Sequence, residues 1–248
     1  YTLVIGRFFN SMQVGYFSRA QTLAVFPSMN FTEVVNRAMY PVLCEQQDSE
    51  EKLVDIFLKY HRITVFCVFP LMIGLAILSE PLIKVLLTDK WIPSAHLLSI
   101  LCIAYMWYPI MVFNWQLLNV KGRSDLSLRA EMIKKIIAFL ILFISIIGGI
   151  DVICWGLLLY SLSDMIIIYF FIKKIYVFDF SKEIRLLLPV LFCSLLMGVC
   201  IFFCNYLLSN PFLQLIAGFV VGSISYLGFC LIFRLKEIDI IRQIIKRA

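Results

Sequence analysis

Apolar residues run along this chain in blocks of membrane-crossing length, separated by short polar connections. Roughly 30 Å of hydrocarbon takes about 20 apolar residues of helix. Six runs reach or approach that length: 62–79, 95–119, 132–149, 152–172, 186–208 and 212–233. A seventh, 16–43, is long enough but carries Arg19, Glu33 and Arg37. Residues 1–10 read as the tail of an earlier helix, and Pro81 to Leu87 as an interfacial segment too short to span. None of these runs alternates polar and apolar with period two, as a barrel strand must. The predicted fold class is therefore all-α, a polytopic transmembrane helical bundle. Its predicted organisation is the end of a truncated helix and an outer loop over 1–14, a seven-helix transmembrane lobe over 15–233, and a basic cytoplasmic tail over 234–248.

Composition agrees: 62% of residues are hydrophobic and 15% charged, against about 45–50% and about 25% in soluble domains. The net charge of +6 matters through its placement. Connections 44–62, 119–135 and 173–185 and the tail hold seventeen of the 22 Lys and Arg residues, whereas the alternate connections hold Lys84 and Lys90 alone. By the positive-inside rule the basic connections and the C-terminus are cytoplasmic. Nucleic acid is excluded as a partner, and the amphipathic stretch Glu237 to Arg247 reads either as a segment on the inner leaflet or as a solvated end. Seven of the eight cysteines lie inside apolar runs and read as small apolar residues, with no metal, cofactor or disulfide framework indicated. The chain starts at Tyr1 without a signal-peptide pattern and reads as an excised piece of a longer protein.

Candidate chemistry concentrates on the first complete helix. At roughly 100° per residue, Arg19 and Arg37 share one side, with Asn30 and Glu33 within about 40° of them and Thr22 near. A buried charge costs roughly 2.5–3.5 kcal/mol on insertion scales, so this stripe faces a watery cavity or a partner helix. Snorkelling of both arginines to the headgroups, with Glu33 paired to Arg37 at i, i+4, is the competing account. Asn114, Gln116 and Asn119 either line a cavity or bond between helices. Asp164, a lone acid at bilayer depth, reads either as a proton or cation site or as a structural contact with Tyr160 or Ser161. Pro27, Pro70, Pro109 and Pro189 interrupt apolar helices, and Gly218 with Gly222 forms GxxxG. No phosphate loop, GxSxG, HExxH or CxxC pattern occurs, and neither His61 nor His96 sits beside an obvious acid or nucleophile set.

The order of several short segments resembles a known family. Gly15-Tyr16-Phe17-Ser18-Arg19-Ala20, Tyr40-Pro41-Val42-Leu43, Phe69-Pro70-Leu71-Met72 with Gly74-Leu75, Lys90-Trp91-Ile92-Pro93, Met106-Trp107-Tyr108-Pro109 and Lys121-Gly122-Arg123-Ser124-Asp125 together resemble the polysaccharide and oligosaccharide exporters of the Wzx type, within the MATE-like MOP flippase superfamily. The resemblance covers most of residues 1–175. It implies the C-terminal lobe of a two-lobe transporter, not an enzyme, that flips a polyprenyl-diphosphate-linked oligosaccharide across the bacterial inner membrane by alternating access. Its implied partners are the lipid-linked oligosaccharide, membrane lipids, the missing N-terminal lobe and glycan polymerase machinery. Arg19 and Arg37 suit an anionic headgroup, since guanidinium meets phosphate oxygens in a bidentate fork. Ser124 or Asp125 is expected to cap the helix that follows. A multidrug or small-molecule exporter of the same superfamily and a membrane enzyme of glycan polymerisation remain as alternatives.

Overall fold

Asn10 starts the longest helix of the chain by accepting a hydrogen bond from the Gln13 amide at 2.9 Å. In the computed structural model, which describes residues 2–176, 180–235 and 237, α1 (Thr2–Phe8) precedes this helix, α2 (Ser11–Glu45), which runs through Pro27 and Pro41 without interruption. Then follow α3 (Glu50–Ile77), the short α4 (Ser79–Leu86), a single 3-10 turn at Asp89–Trp91, α5 (Pro93–Tyr105) and α6 (Tyr108–Val120). The remaining elements are α7 (Ser124–Ile147), α8 (Ile150–Ile172), α9 (Phe180–Leu207) and α10 (Pro211–Ile232). Two tight connections require glycine: Gly122 between α6 and α7 has φ +64°, and Gly149 between α7 and α8 has φ +93°. Pro211 at the first position of α10 and the Asn210 side chain, which accepts from the Phe212 amide at 2.9 Å, set its start.

The all-α bundle is as the hydropathy predicts, and its outer surface carries large apolar side chains such as Phe143, Ile147, Phe203 and Phe219. Among the described residues, five segments meet both length and composition for crossing a membrane: Glu50–Ile77, Pro93–Val120, Ile150–Ile172, Glu183–Leu207 and Pro211–Ile232. α2 and α7 are long enough, but α2 carries charges along its length and α7 carries five in its first half. Several sequence expectations are corrected. The run 95–119 is two helices, α5 and α6, meeting at Met106 and Trp107. Of the prolines expected to interrupt helices, Pro27, Pro70 and Pro189 lie within continuous ones, and only Pro109 stands at a break. The basic connections are shorter than drawn, because α3, α7 and α9 begin before their apolar stretches. Lys52, Lys59, Arg62, Arg129, Lys134, Lys135 and Arg185 are therefore helical. Hydropathy registers the part of a helix that sits in hydrocarbon and is blind to the polar turns that extend it. The expected amphipathic tail lies outside the described residues except for Glu237.

At two of the prolines a neighbouring helix supplies a hydrogen bond to the carbonyl that the ring leaves free. Pro109 has no N–H for the Tyr105 carbonyl, which instead accepts from the Ser28 hydroxyl of α2 at 2.8 Å. Pro70 likewise frees the Phe66 carbonyl, which accepts from the Tyr226 hydroxyl of α10 at 2.8 Å.

The interior falls into two apolar clusters. One gathers Phe17, Val65, Phe69, Leu98, Ile153, Val190 and Met197, among others. The second gathers Met39, Leu43, Phe57, Phe113, Leu117 and Ile168. Buried polar residues occupy the intervals where each helix passes from one cluster to the other, namely Ser28, Thr32 and Asn36 on α2 and His61 and Thr64 on α3. Asn114 on α6 and Asp164 on α8 lie beside the same transitions. α9 and α10 pack on each other, α9 on α3, and α10 on α4.

Candidate functional site

The predicted stripe on α2 is left uncovered by the rest of the described chain. Arg19, Thr22, Asn30 and Arg37 are exposed, as is Phe26 between them, while the opposite face of the same helix buries Phe17, Ala20, Ala24, Ser28, Thr32 and Asn36. The Glu33–Arg37 ion pair of the competing account does not form. Glu33, half-buried, accepts instead from the Tyr108 hydroxyl of α6 at 3.4 Å. Asn30 spends one amide hydrogen on the Phe26 carbonyl at 2.7 Å, which leaves its oxygen on the open face. The Arg19 guanidinium lies 5.7 Å from the centre of the Trp91 ring, and Tyr16 meets the same ring edge-on at 5.8 Å. Two segments of the family-like pattern, around Arg19 and around Trp91, are thus brought together.

Beside the stripe lies an apolar cleft of about 600 Å³ between α2, α3, α9 and α10. Phe26 belongs to both: it stands on the exposed face between Arg19 and Arg37 and lines the cleft with Leu23 and Pro27. The far wall is built from Gly218, Phe219 and Gly222 of α10 and Met197 of α9. Absent side chains let the helices close there. A Cβ on Gly218 would stand 2.7 Å from Leu78 Cδ2, and one on Gly222 would stand 2.9 Å from Ile201 Cδ1, so GxxxG serves packing within this chain.

The other sequence candidates go elsewhere. Asn114 is buried and its amide donates to Glu183 Oε1 at 3.0 Å, joining α6 to α9. Asn119 donates to Gln116 Oε1 at 3.1 Å, and the Ser127 hydroxyl meets Asn119 Oδ1 at 3.4 Å, tying the end of α6 to the start of α7. These three residues bond to other side chains, within α6 or across helices, and none of them lines the cleft beside α2. Asp164 is not a lone acid: the Lys134 ammonium of α7 sits 2.9 Å from its Oδ1 and 4.7 Å from the Trp115 ring centre, with Glu131 at 3.6 Å. The N-cap position of α7 is Arg123, whose side chain makes no cap hydrogen bond. Arg123 instead grips Asp125 with two hydrogen bonds of 2.9 and 3.0 Å, and that grip holds the Asp125 carboxyl down to about 2 at the polar start of the helix.

Three groups were missed at the level of sequence. Lys134 and Glu183 fall within the basic connections 119–135 and 173–185 of the sequence, and His61 sits beside no obvious acid set there. In the folded chain His61 Nδ1 lies 3.4 Å from Glu183 Oε1, with both side chains essentially inaccessible. The available signal is thin: a histidine immediately before one apolar run and an acid about one turn before another.

Residues 1–96 match a family described as polysaccharide biosynthesis protein. The chain is 27% identical over 174 residues to an uncharacterized membrane protein in the cps region of Klebsiella pneumoniae, covering 70% of this chain and 36% of that one. It is 27% identical over 210 residues to the lipopolysaccharide biosynthesis protein WzxC of Escherichia coli K12, covering 80% and 42%. To the teichuronic acid biosynthesis protein TuaB of Bacillus subtilis 168 it is 26% identical over 125 residues, covering 50% and 26%. The chain thus spans well under half the length of these relatives. Among solved structures it resembles the lipid II flippase MurJ in an inward closed conformation, with a TM-score of 0.70 over 89% of this chain and 47% of that one; at 20% identity the likeness is one of fold. These findings agree with the resemblance to Wzx-type exporters, and the chain is a multi-pass membrane protein similar to proteins of polysaccharide biosynthesis.

Proposed function

We propose that this chain is the C-terminal lobe of a transporter that flips a polyprenyl-diphosphate-linked oligosaccharide across the bacterial inner membrane by alternating access, with its basic helix ends and C-terminus in the cytoplasm. The observation that carries the proposal is the juxtaposition on α2 of an uncovered face bearing Arg19 and Arg37 with an apolar cleft that begins at Phe26. Two arginines left against lipid tails would be costly, so that face belongs to an aqueous cavity completed by the remainder of the transporter. A ligand that satisfies both surfaces at once is amphipathic, with an anionic headgroup for the guanidinium forks and a long apolar chain for the cleft. A lipid-linked pyrophosphate glycan has that form. A cationic drug does not, because the stripe offers it one carboxylate, Glu33, against two fixed positive charges.

The test is transport by the complete protein in proteoliposomes, using a fluorescent polyprenyl-diphosphate oligosaccharide. Loss of one charge-assisted contact, about 1.5–3 kcal/mol, is expected to lower the rate of Arg19→Ala or Arg37→Ala by roughly tenfold or more while the variants stay monodisperse. Movement of cationic drugs in place of any lipid-linked glycan would overturn the proposal in favour of a small-molecule exporter.

A further inference from the structure

A histidine and a glutamic acid sealed together between three helices, away from the α2 stripe, define a second site. His61 of α3 and Glu183 of α9 are 0% and 1% exposed and stand 3.4 Å apart, Nδ1 to Oε1. Asn114 of α6, itself 2% exposed, donates to the same Oε1 at 3.0 Å. The rings of Phe57 and Phe113 close on the imidazole edge-on at 5.3 and 5.7 Å. Within this enclosure both imidazole nitrogens, Glu183 Oε2 and Asn114 Oδ1 lack a hydrogen-bond partner among the described residues.

Among the described residues, no neighbouring charge balances the pair. Arg62, next along α3, turns to Glu237 at 3.3 Å, and Arg185 of α9 is exposed. Asp164 of α8 is held by Lys134 of α7, and Glu33 of α2 by Tyr108 of α6, while Arg37 of α2 lies on the exposed face. An isolated charge in such a place costs several kcal/mol. Of the protonation states open to an imidazole and a carboxyl, those with none or two dissociable protons leave a net charge of −1 or +1. The state with one proton is neutral, whether that proton sits on the carboxyl or on the ring.

We propose that His61 and Glu183, with Asn114 as the orienting donor, form a buried one-proton site, and that this proton is given up and retaken as the α9 end parts from α3 and α6 during transport. The assignment of a role in transport rests on the function proposed above; the existence of the site does not. Opening the junction admits water, which stabilises the ionised carboxylate and lets the proton leave. Closing it restores the neutral pair. Glu183 is well placed to sense this movement, because it joins α9 to both α3 and α6 through a single carboxyl group.

The site is tested first on the purified complete protein by infrared difference spectroscopy between mildly alkaline and mildly acid buffer, with Glu183→Gln and His61→Gln alongside the parent. Glutamine preserves the size of each group and its hydrogen bonding, so folding is retained and checked by monodispersity. The parent is expected to show a carboxyl or imidazolium difference band that is lost in Glu183→Gln and lost or shifted in His61→Gln. The same spectra in all three proteins would overturn the site. In proteoliposomes that flip the lipid-linked glycan, an imposed pH gradient is expected to change the parent's rate several-fold and to leave both variants indifferent, with downhill flipping retained. A parent indifferent to the gradient would overturn the coupling. If no lipid-linked glycan is moved at all, the transport reading falls, and the infrared result alone decides whether the proton site stands.

Discussion

At the scale of single residues, two kinds of buried polar contact can be separated by what their removal leaves behind. The Tyr226 hydroxyl supplies the bond that Pro70 denies to the Phe66 carbonyl. Tyr226→Phe keeps the ring and strands that carbonyl, so a loss of about 0.6–1.5 kcal/mol is expected in reversible unfolding of the detergent-solubilised protein. The Asp164–Lys134 pair is different in size, because Asp164→Ala takes the nearer carboxylate from an ammonium that is 9% exposed and leaves it only Glu131 at 3.6 Å. The expected loss is roughly 3–5 kcal/mol, and the double substitution Asp164→Leu with Lys134→Met should recover most of it. A double variant no more stable than Asp164→Ala would show that the pair acts through something other than mutual neutralisation. Neither contact was legible from sequence. Hydropathy placed Lys134 in a connection, and a hydroxyl that replaces a backbone bond 160 positions away leaves no local trace.

At the scale of helices, legibility followed the hydrocarbon. α8 and α10 were found almost to the residue, since both are apolar from end to end and bounded by a turn at Gly149 and by Pro211. α3, α7 and α9 were found too short, because their polar first turns look like connections. The break between α5 and α6 was hidden, because Met106 and Trp107 are as apolar as the helices they join. Helix contacts also distinguish glycines that look alike in sequence. A Cβ at Gly218 would press on Leu78 at 2.7 Å, whereas Gly228 of the same helix has open space around it. Gly218→Leu is therefore expected to lower stability by roughly 1–3 kcal/mol through overpacking of α10 against Leu78. Gly228→Ala should be neutral or stabilising by up to about 1 kcal/mol from helix propensity. Thermal denaturation of the two variants side by side checks this, and equal effects would contradict the assigned packing.

For the whole molecule, the stripe was readable because a 3.6-residue period places Arg19, Asn30 and Arg37 on one face whatever the rest of the fold does. The cleft beside it was not, since α3, α9 and α10 meet there from positions as distant as Pro70, Met197 and Phe219. The same non-locality hid the His61–Glu183 pair. The described chain has an apolar exterior, two apolar clusters with buried polar residues between them, and an amphipathic surface on α2. In the proposed transporter, headgroup and lipid chain occupy that site together. Photo-crosslinking tests it most directly, using a polyprenyl-diphosphate oligosaccharide with a photoreactive group in its apolar chain and the complete protein in nanodiscs. Adducts mapped by mass spectrometry are expected on cleft residues such as Leu23, Phe26 and Phe219, and Arg19→Ala and Arg37→Ala should reduce them strongly. Adducts spread over the outer surface at Phe139, Phe143 and Ile147, with cleft labelling indifferent to both arginines, would contradict the account.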